Sequence, residues 1–230
     1  MPTPAPTPAP GGTHEILTGW NETLTIACNT DYTVTGSQGG ATITLGGHGN
    51  DFVSASGWGN VITLGDGNNT VVGPQGSTQV TVGNGTNSIT LAGWGNTVTT
   101  GSGMNTIVAG DGSDTLHLGA GSNTVTLSGW NNLVIAGPGH DTIVGGNANT
   151  YALTSPAGRL DILDFGTAQG DVLNLHQALA AGGSLTATTT VTDTILSITP
   201  TGGTASVVAD LHGTGGASLA TLLASHQVAV

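Results

Sequence analysis

The sequence predicts an all-β fold. It is a parallel β-solenoid, a two-sided roll of nine-residue units with two units to the coil, closed by a β-rich C-terminal cap. Three observations predict it. From Phe52 to Thr150 the chain divides every nine residues without a remainder, in units such as TVTLSGWNN and TIVAGDGSD. A fixed short period is the mark of a stacked-repeat architecture. The second residue of every unit is apolar: Val53, Ile62, Val71, Val80, Ile89, Val98, Ile107, Leu116, Val125, Val134 and Ile143. Most units close on glycine and asparagine, which supply the backbone freedom of a tight turn.

Each element follows from that pattern. Alternation with period two sends the second residue of a unit inward with the one two places on, often Leu or Ala, and turns the flanking residues, often Thr, to solvent. Such a strand is too short to fold alone, so two units form one coil and coils stack about 4.8 Å apart. Residues 1–13 are rich in proline and predict an extended arm or linker. The period begins at His14, and YTVTGSQGGA and TITLGGHGND each carry one extra residue. The repeat domain is therefore placed at residues 14–150 and the cap at 151–230.

Composition narrows the functional classes. The chain has 40 glycines, one Arg or Lys (Arg159) and a net charge of −12. One cation cannot neutralise a phosphate backbone, so nucleic acid and anionic membranes are excluded as partners. Calcium, basic partners and neutral glycans remain. No apolar run reaches membrane-spanning length, which excludes membrane insertion. The single Cys28 forms no internal disulfide; it is either a small buried core residue or an intermolecular bridge.

The turns carry a recognisable motif. Gly46-Gly47-His48-Gly49-Asn50-Asp51-Phe52-Val53 matches the G-G-x-G-x-D-x-U-x nonapeptide. The segments 110–116 and 137–143 match all but its first glycine. These repeats resemble those of RTX proteins, the calcium-binding parallel β-roll family. The resemblance implies calcium held between turns on one side of the roll, thus between residues two units apart.

The family's aspartate position reads Asp51, Asn60, Asn69, Thr78, Asn87, Asn96, Asn105, Asp114, Asn123, Asn132, Asp141 and Thr150, so only three of twelve are Asp. Asp51 then faces Asn69, Asp141 faces Asn123, and Asp114 faces Asn96 and Asn132. No pair supplies two carboxylates, and calcium affinity rises with ligand charge. The expectation is a few weak calcium sites or none, carried by Asp51, Asn69, Asp114, Asp141 and Asn123, with Asp66 and Asp111 adding charge locally. Stacked Asn side chains can hydrogen-bond to each other along the rod instead.

A second period overlies the first. Trp58, Trp94 and Trp130 are 36 residues apart and Trp20 lies 38 before Trp58. All four are expected on one side of the roll in every second coil, about 10 Å apart. They serve either as staples over the glycine turns beside them or as an exposed aromatic row for a sugar or another rod.

After Thr150 the period stops. ILDFG at 162–166 and GDVLNL at 170–175 resemble the segment that follows the repeats in type I secreted proteins. Leu160 stands where that pattern has its first Asp. The tail from Ser218 to Val230 resembles the uncleaved C-terminal signal of that pathway. It also reads as a plain cap for the end of the roll.

The chain contains none of the sequence motifs of a metalloprotease, a serine hydrolase or a phosphate-cradling loop. The histidines are scattered singly, and only the short proline-rich arm precedes the repeats, so no enzyme is expected. The expected function is a secreted, extracellular or cell-surface structural protein of a Gram-negative bacterium. It forms a homo-oligomer or filament, and the extracellular fibre, matrix or surface layer is built through the roll. Two alternatives stand beside it. One is a polysaccharide-binding module using the Trp row. The other is ice binding through outward Thr pairs such as Thr42/Thr44, Thr97/Thr99 and Thr124/Thr126, an array broken by Val72, His117 and Ile135.

Overall fold

Short β-strands of alternating polarity, separated by glycine-rich turns, wind into a two-sided solenoid in the computed structural model. It describes residues 13–27, 29–73, 75–166 and 170–230. The expectations for Cys28 and, apart from Thr13, for the proline-rich arm lie outside the described residues.

Strands are numbered in chain order. One face carries β1 (Thr13–Leu17), β3 (Tyr32–Gly36), β5 (Phe52–Ala55), β7 (Thr70–Gly73), β9 (Ser88–Leu91), β11 (Thr106–Ala109), β13 (Thr124–Leu127), β15 (Gly139–Val144) and β17 (Gly158–Ile162). The other carries β2 (Thr23–Ala27), β4 (Thr42–Gly46), β6 (Val61–Leu64), β8 (Gln79–Val82), β10 (Thr97–Thr100), β12 (Thr115–Leu118), β14 (Leu133–Ala136), β16 (Thr150–Leu153) and β18 (Val172–Asn174). Every neighbouring pair on each face is parallel and in sequence order. Each coil takes 18 residues through most of the roll, and the pairing steps accordingly, as in Ile89↔Ile107 and Val80↔Val98. It steps by 19 where the two longer units fall, as in Thr23↔Thr42 and Thr42↔Val61.

The core is one file of side chains between the two faces. All eleven second-position residues are at most 1% exposed, and Ala55, Leu64, Val82, Leu91, Ala109, Leu118, Leu127 and Ala136 fill the positions two along. This alternation is what a strand with one buried face requires.

Strand stacking outlasts the sequence period. Leu133 pairs with Thr150, a step of 17, so Asn149 rather than Thr150 occupies the position expected to carry Thr150. β16, β17 and β18 then continue both faces, and Tyr151 and Phe165, both fully buried, meet at 6.3 Å between ring centroids. Beyond them lie α1 (His176–Leu179), β19 (Ser184–Thr189), β20 (Thr194–Thr199), β21 (Ser206–Leu211), α2 (Leu219–Ala224) and β22 (Val228–Ala229). β21 joins β17 in parallel, β20 and β19 follow antiparallel, and β22 closes the second face on β18. Arg159 ties this cap to the roll. Its Nε donates to Asp161 at 2.8 Å, its Nη2 lies 3.7 Å from Asp210, and His140 contacts Asp161 at 2.6 Å.

Among the described residues no strand pairs with the outer edge of β1 or β2. Leu17, Leu24, Ile26 and Tyr32 are only partly buried there. Glu15 sits in register with the buried Val34, so it occupies an inward position on this edge strand.

Candidate functional site

The residues at the family's aspartate position stand just before, or at, the start of each strand (Asp141 is the third residue of β15), and the stacking of the strands stacks them too. They make two buried ladders. On the first face the backbone N–H of Tyr32 donates to Asp51 Oδ1, that of Asp51 to Asn69 Oδ1, and so on through Asn87, Asn105 and Asn123 to Asp141. The side-chain amides run in the same direction. Nδ2 of Asn69 donates to Asn87 Oδ1 at 3.1 Å, Asn87 to Asn105 at 2.8 Å, Asn105 to Asn123 at 2.8 Å and Asn123 to Asp141 at 2.7 Å. A backbone N–H can only donate, so the atom facing it must be the amide oxygen, and this fixes the orientation of each Asn.

The second ladder passes from Thr78 through Asn96, Asp114, Asn132 and Asn149 to Asp171. Here Nδ2 of Asn96 donates to Asp114 at 3.0 Å and Nδ2 of Asn132 to Asn149 at 2.9 Å. All these Asn side chains are at most 1% exposed.

The other candidate residues are less enclosed. Asp66 Oδ1 accepts from Asn84 N at 2.7 Å and its Oδ2 lies 3.6 Å from His48. Asp111 is exposed, in a left-handed conformation beside the glycine turn. No group of three or more His, Cys, Asp or Glu converges on one point among the described residues.

A family comparison decides what these coils are. Residues 92–129 and 131–150 match the RTX calcium-binding nonapeptide repeat in four copies. These coils carry RTX repeats, and the stack fits an RTX β-roll. Residues ahead of 92 lie outside that match but wind into the same coils in the same register. Neither the curated proteins nor the solved structures offer a match. RTX repeats of this kind support calcium binding and are characteristic of proteins exported by type I secretion. The fold is typically non-catalytic.

The aspartates and asparagines of this roll suit calcium unequally. Asp114 and Asp141 each have Oδ1 engaged by the preceding Asn and Oδ2 buried without a hydrogen-bond partner. A buried, unpartnered carboxylate oxygen is a fit for a hard cation. Asn69, Asn87, Asn96, Asn105, Asn123 and Asn132 are not, because each presents an N–H toward the oxygen of the next coil. Where calcium binds, Asp114 and Asp141 would hold it, and it would supply positive charge to a buried carboxylate.

Burial pushes both carboxyls up to about 6, against the hydrogen bonds from Asn96 and Asn123 that pull them down. An acid whose folded pKa is raised binds its proton more tightly when folded, so its penalty is present above pH 6 and lifts as pH falls through 6 toward 4. For Asp161 desolvation is outweighed by its hydrogen bonds to Arg159 and His140, which hold it low. Its contribution is lost only below about pH 4. Asp114→Asn restores the donor missing toward Asn132 and removes the buried charge. In chelator it is expected to raise stability at pH 8 by about 1–2 kcal/mol and by about half as much at pH 5. Urea denaturation at the two pH values checks this; equal effects at both would refute it.

The tryptophans share one column. Trp20 bridges to Gly39, Gly39 to Trp58, Gly112 to Trp130 and Trp130 to Asn147. The rings of Trp20 and Trp58 lie over the glycine of the next coil, since a Cβ added at Gly39 or Gly76 would press on them. All four tryptophans are nevertheless 43–62% exposed. Trp94 and Trp130 lean together, with centroids 5.1 Å apart and planes at 74°, closer than the two-coil spacing expected for an even row. Staple and surface are thus one feature, which reading the Trp spacing alone treated as alternatives. On the second face Thr44, Thr63, Thr81 and Thr99 stack in one outward column until His117 interrupts it.

Proposed function

We propose that the protein is an exported, non-enzymatic structural component that assembles end to end through its β-roll, with residues 151–230 carrying the export signal. The N-terminal end carries this reading: among the described residues nothing pairs with the outer edges of β1 and β2, which lie above a half-covered core. Such edges are templates for another chain. Strand direction favours propagation. β19 is antiparallel to β20 and β20 to β21, while β21 is parallel to the roll, so β19 runs the same way as β1. β22 likewise runs with the second face. Head-to-tail contact therefore extends both sheets without reversing a strand, and such a contact does not close on itself.

Glu15 governs this end. An inward charge on an edge strand discourages indiscriminate pairing. Glu15→Val is expected to speed filament formation, followed by electron microscopy and light scattering. Particles that stay monomeric at high concentration, in the wild type and in this variant, would remove the reading.

A second reading is favoured by the half-exposed tryptophans. With a net charge of −12 and one cation, the aromatic column suits a neutral glycan rather than an anionic one. Rings of this kind offer an apolar face to a sugar. Titration with neutral polysaccharides is expected to shift the tryptophan fluorescence, and Trp58→Ala to weaken the shift; no change across the panel would exclude it.

A further inference from the structure

We infer that the two amide ladders perform in this chain the bridging between coils that calcium performs in rolls of the RTX family, so that the roll stays folded with calcium removed. The site geometry disagrees with calcium at most of the family's positions. Between Asn69 and Asp141 every step from one coil to the next is closed by an Nδ2–H donated to an Oδ1, at 2.7–3.1 Å. That N–H fills the space a bridging cation needs, and it presents positive polarity where the cation would come.

Each ladder oxygen accepts from the backbone N–H of the coil before it, and those of Asn87, Asn105 and Asn123 take the Nδ2–H as well. A neutral ladder thus satisfies its members with protein groups alone. A column of aspartates at the same spacing would place like charges in successive coils and require a cation.

The ends of the ladders fit the same logic. Because all donors point toward the C-terminus, the last member needs only to accept, and the terminal residues are Asp141 and Asp171. Asp171 takes Asn149 N on one oxygen and Gly166 N on the other. Two breaks interrupt the second ladder from within: Asn149 Nδ2 donates to Tyr151 Oη rather than to Asp171, and Asp114 lacks a donor. It accepts from Asn96, but its side chain offers no donor to Asn132, and its Oδ2 is left without a partner.

The test compares the full chain in EGTA and in excess calcium by far-ultraviolet circular dichroism and thermal melting. The wild type is expected to keep its strand signal and its melting temperature in EGTA; loss of the strand signal there would overturn the inference. The double variant Asn87→Asp/Asn105→Asp replaces two neighbouring amide donors by carboxylates. It is expected to melt lower than wild type in EGTA and to recover in calcium, whereas indifference to calcium would count against interchange of the two devices. If that variant folds in neither condition, hydrogen exchange of the wild type in EGTA decides. Protection of the amides of Asn69, Asn87, Asn105 and Asn123 supports the inference, and exchange at unfolded rates refutes it.

Discussion

Replacing Gly103 by alanine is expected to unfold the coil around it. Gly103 has φ +133°, a conformation L side chains rarely adopt, and a Cβ added there would overlap the carbonyl of Gly85 in the preceding coil. That carbonyl belongs to a stacked backbone that cannot swing away, because Gly67, Gly85, Gly103, Gly121 and Gly139 repeat the same arrangement. The conformational strain alone costs about 1–3 kcal/mol, and separating two coils adds lost hydrogen bonds and core contact. A total of about 4 kcal/mol or more is expected, at the extreme of single substitutions. Gly95→Ala is the control. Gly95 has φ +70° with nothing within 4 Å of the added carbon, so only the left-handed strain remains, about 1–2 kcal/mol. Equal melting curves for the two variants would show that close stacking of the turns does not constrain this roll.

The second large effect is expected at Asn105. Leucine has nearly the same shape but no hydrogen-bonding groups. Asn105→Leu leaves the N–H and Nδ2–H of Asn87 without their acceptor and takes away the amide that Asn123 Oδ1 receives. These atoms are buried, and each unmet donor costs about 1–3 kcal/mol. A loss of about 3–5 kcal/mol in urea denaturation follows from that range, whereas Thr106→Ala, on the outward side one residue along, stays within about 0.5 kcal/mol. A change at Asn105 as small as that at Thr106 would mean that the ladder contributes little to stability.

The fold was legible because a repeat states its rule many times. Val53 through Ile143 mark the inward side at a fixed interval, and the two ten-residue units account for the steps of 19 between β2, β4 and β6. The ladders were legible as a column of Asn and Asp, but their direction was not, since it depends on which amide atom meets a backbone N–H. The shift that puts Asn149 in place of Thr150 escaped because the last unit is as long as the others, and the coil loses a residue only in the turn. Beyond Thr150 no period remains. The antiparallel β19–β21 hairpins and the closing β22 are set by burial of their apolar residues and by pairing with β17 and β18, not by spacing. The lean of Trp94 onto Trp130 was likewise beyond reach, because interval fixes the turn and not the ring's tilt.

The one-way arrangement of the ladder donors gives the rod a grammar of growth. A coil can place its buried N–H groups only when the coil on its C-terminal side already offers oxygens, whereas a bare oxygen at the advancing edge is the cheaper group to leave facing water. Zipping from the cap toward β1 therefore keeps every donor satisfied at each step, and zipping the other way strands one row of donors each time. In a fold whose coils touch only their neighbours, the order of assembly is open to such small asymmetries. The aspartates at 141 and 171 then stand where the additions start, and β1 is the last of the described strands to be added.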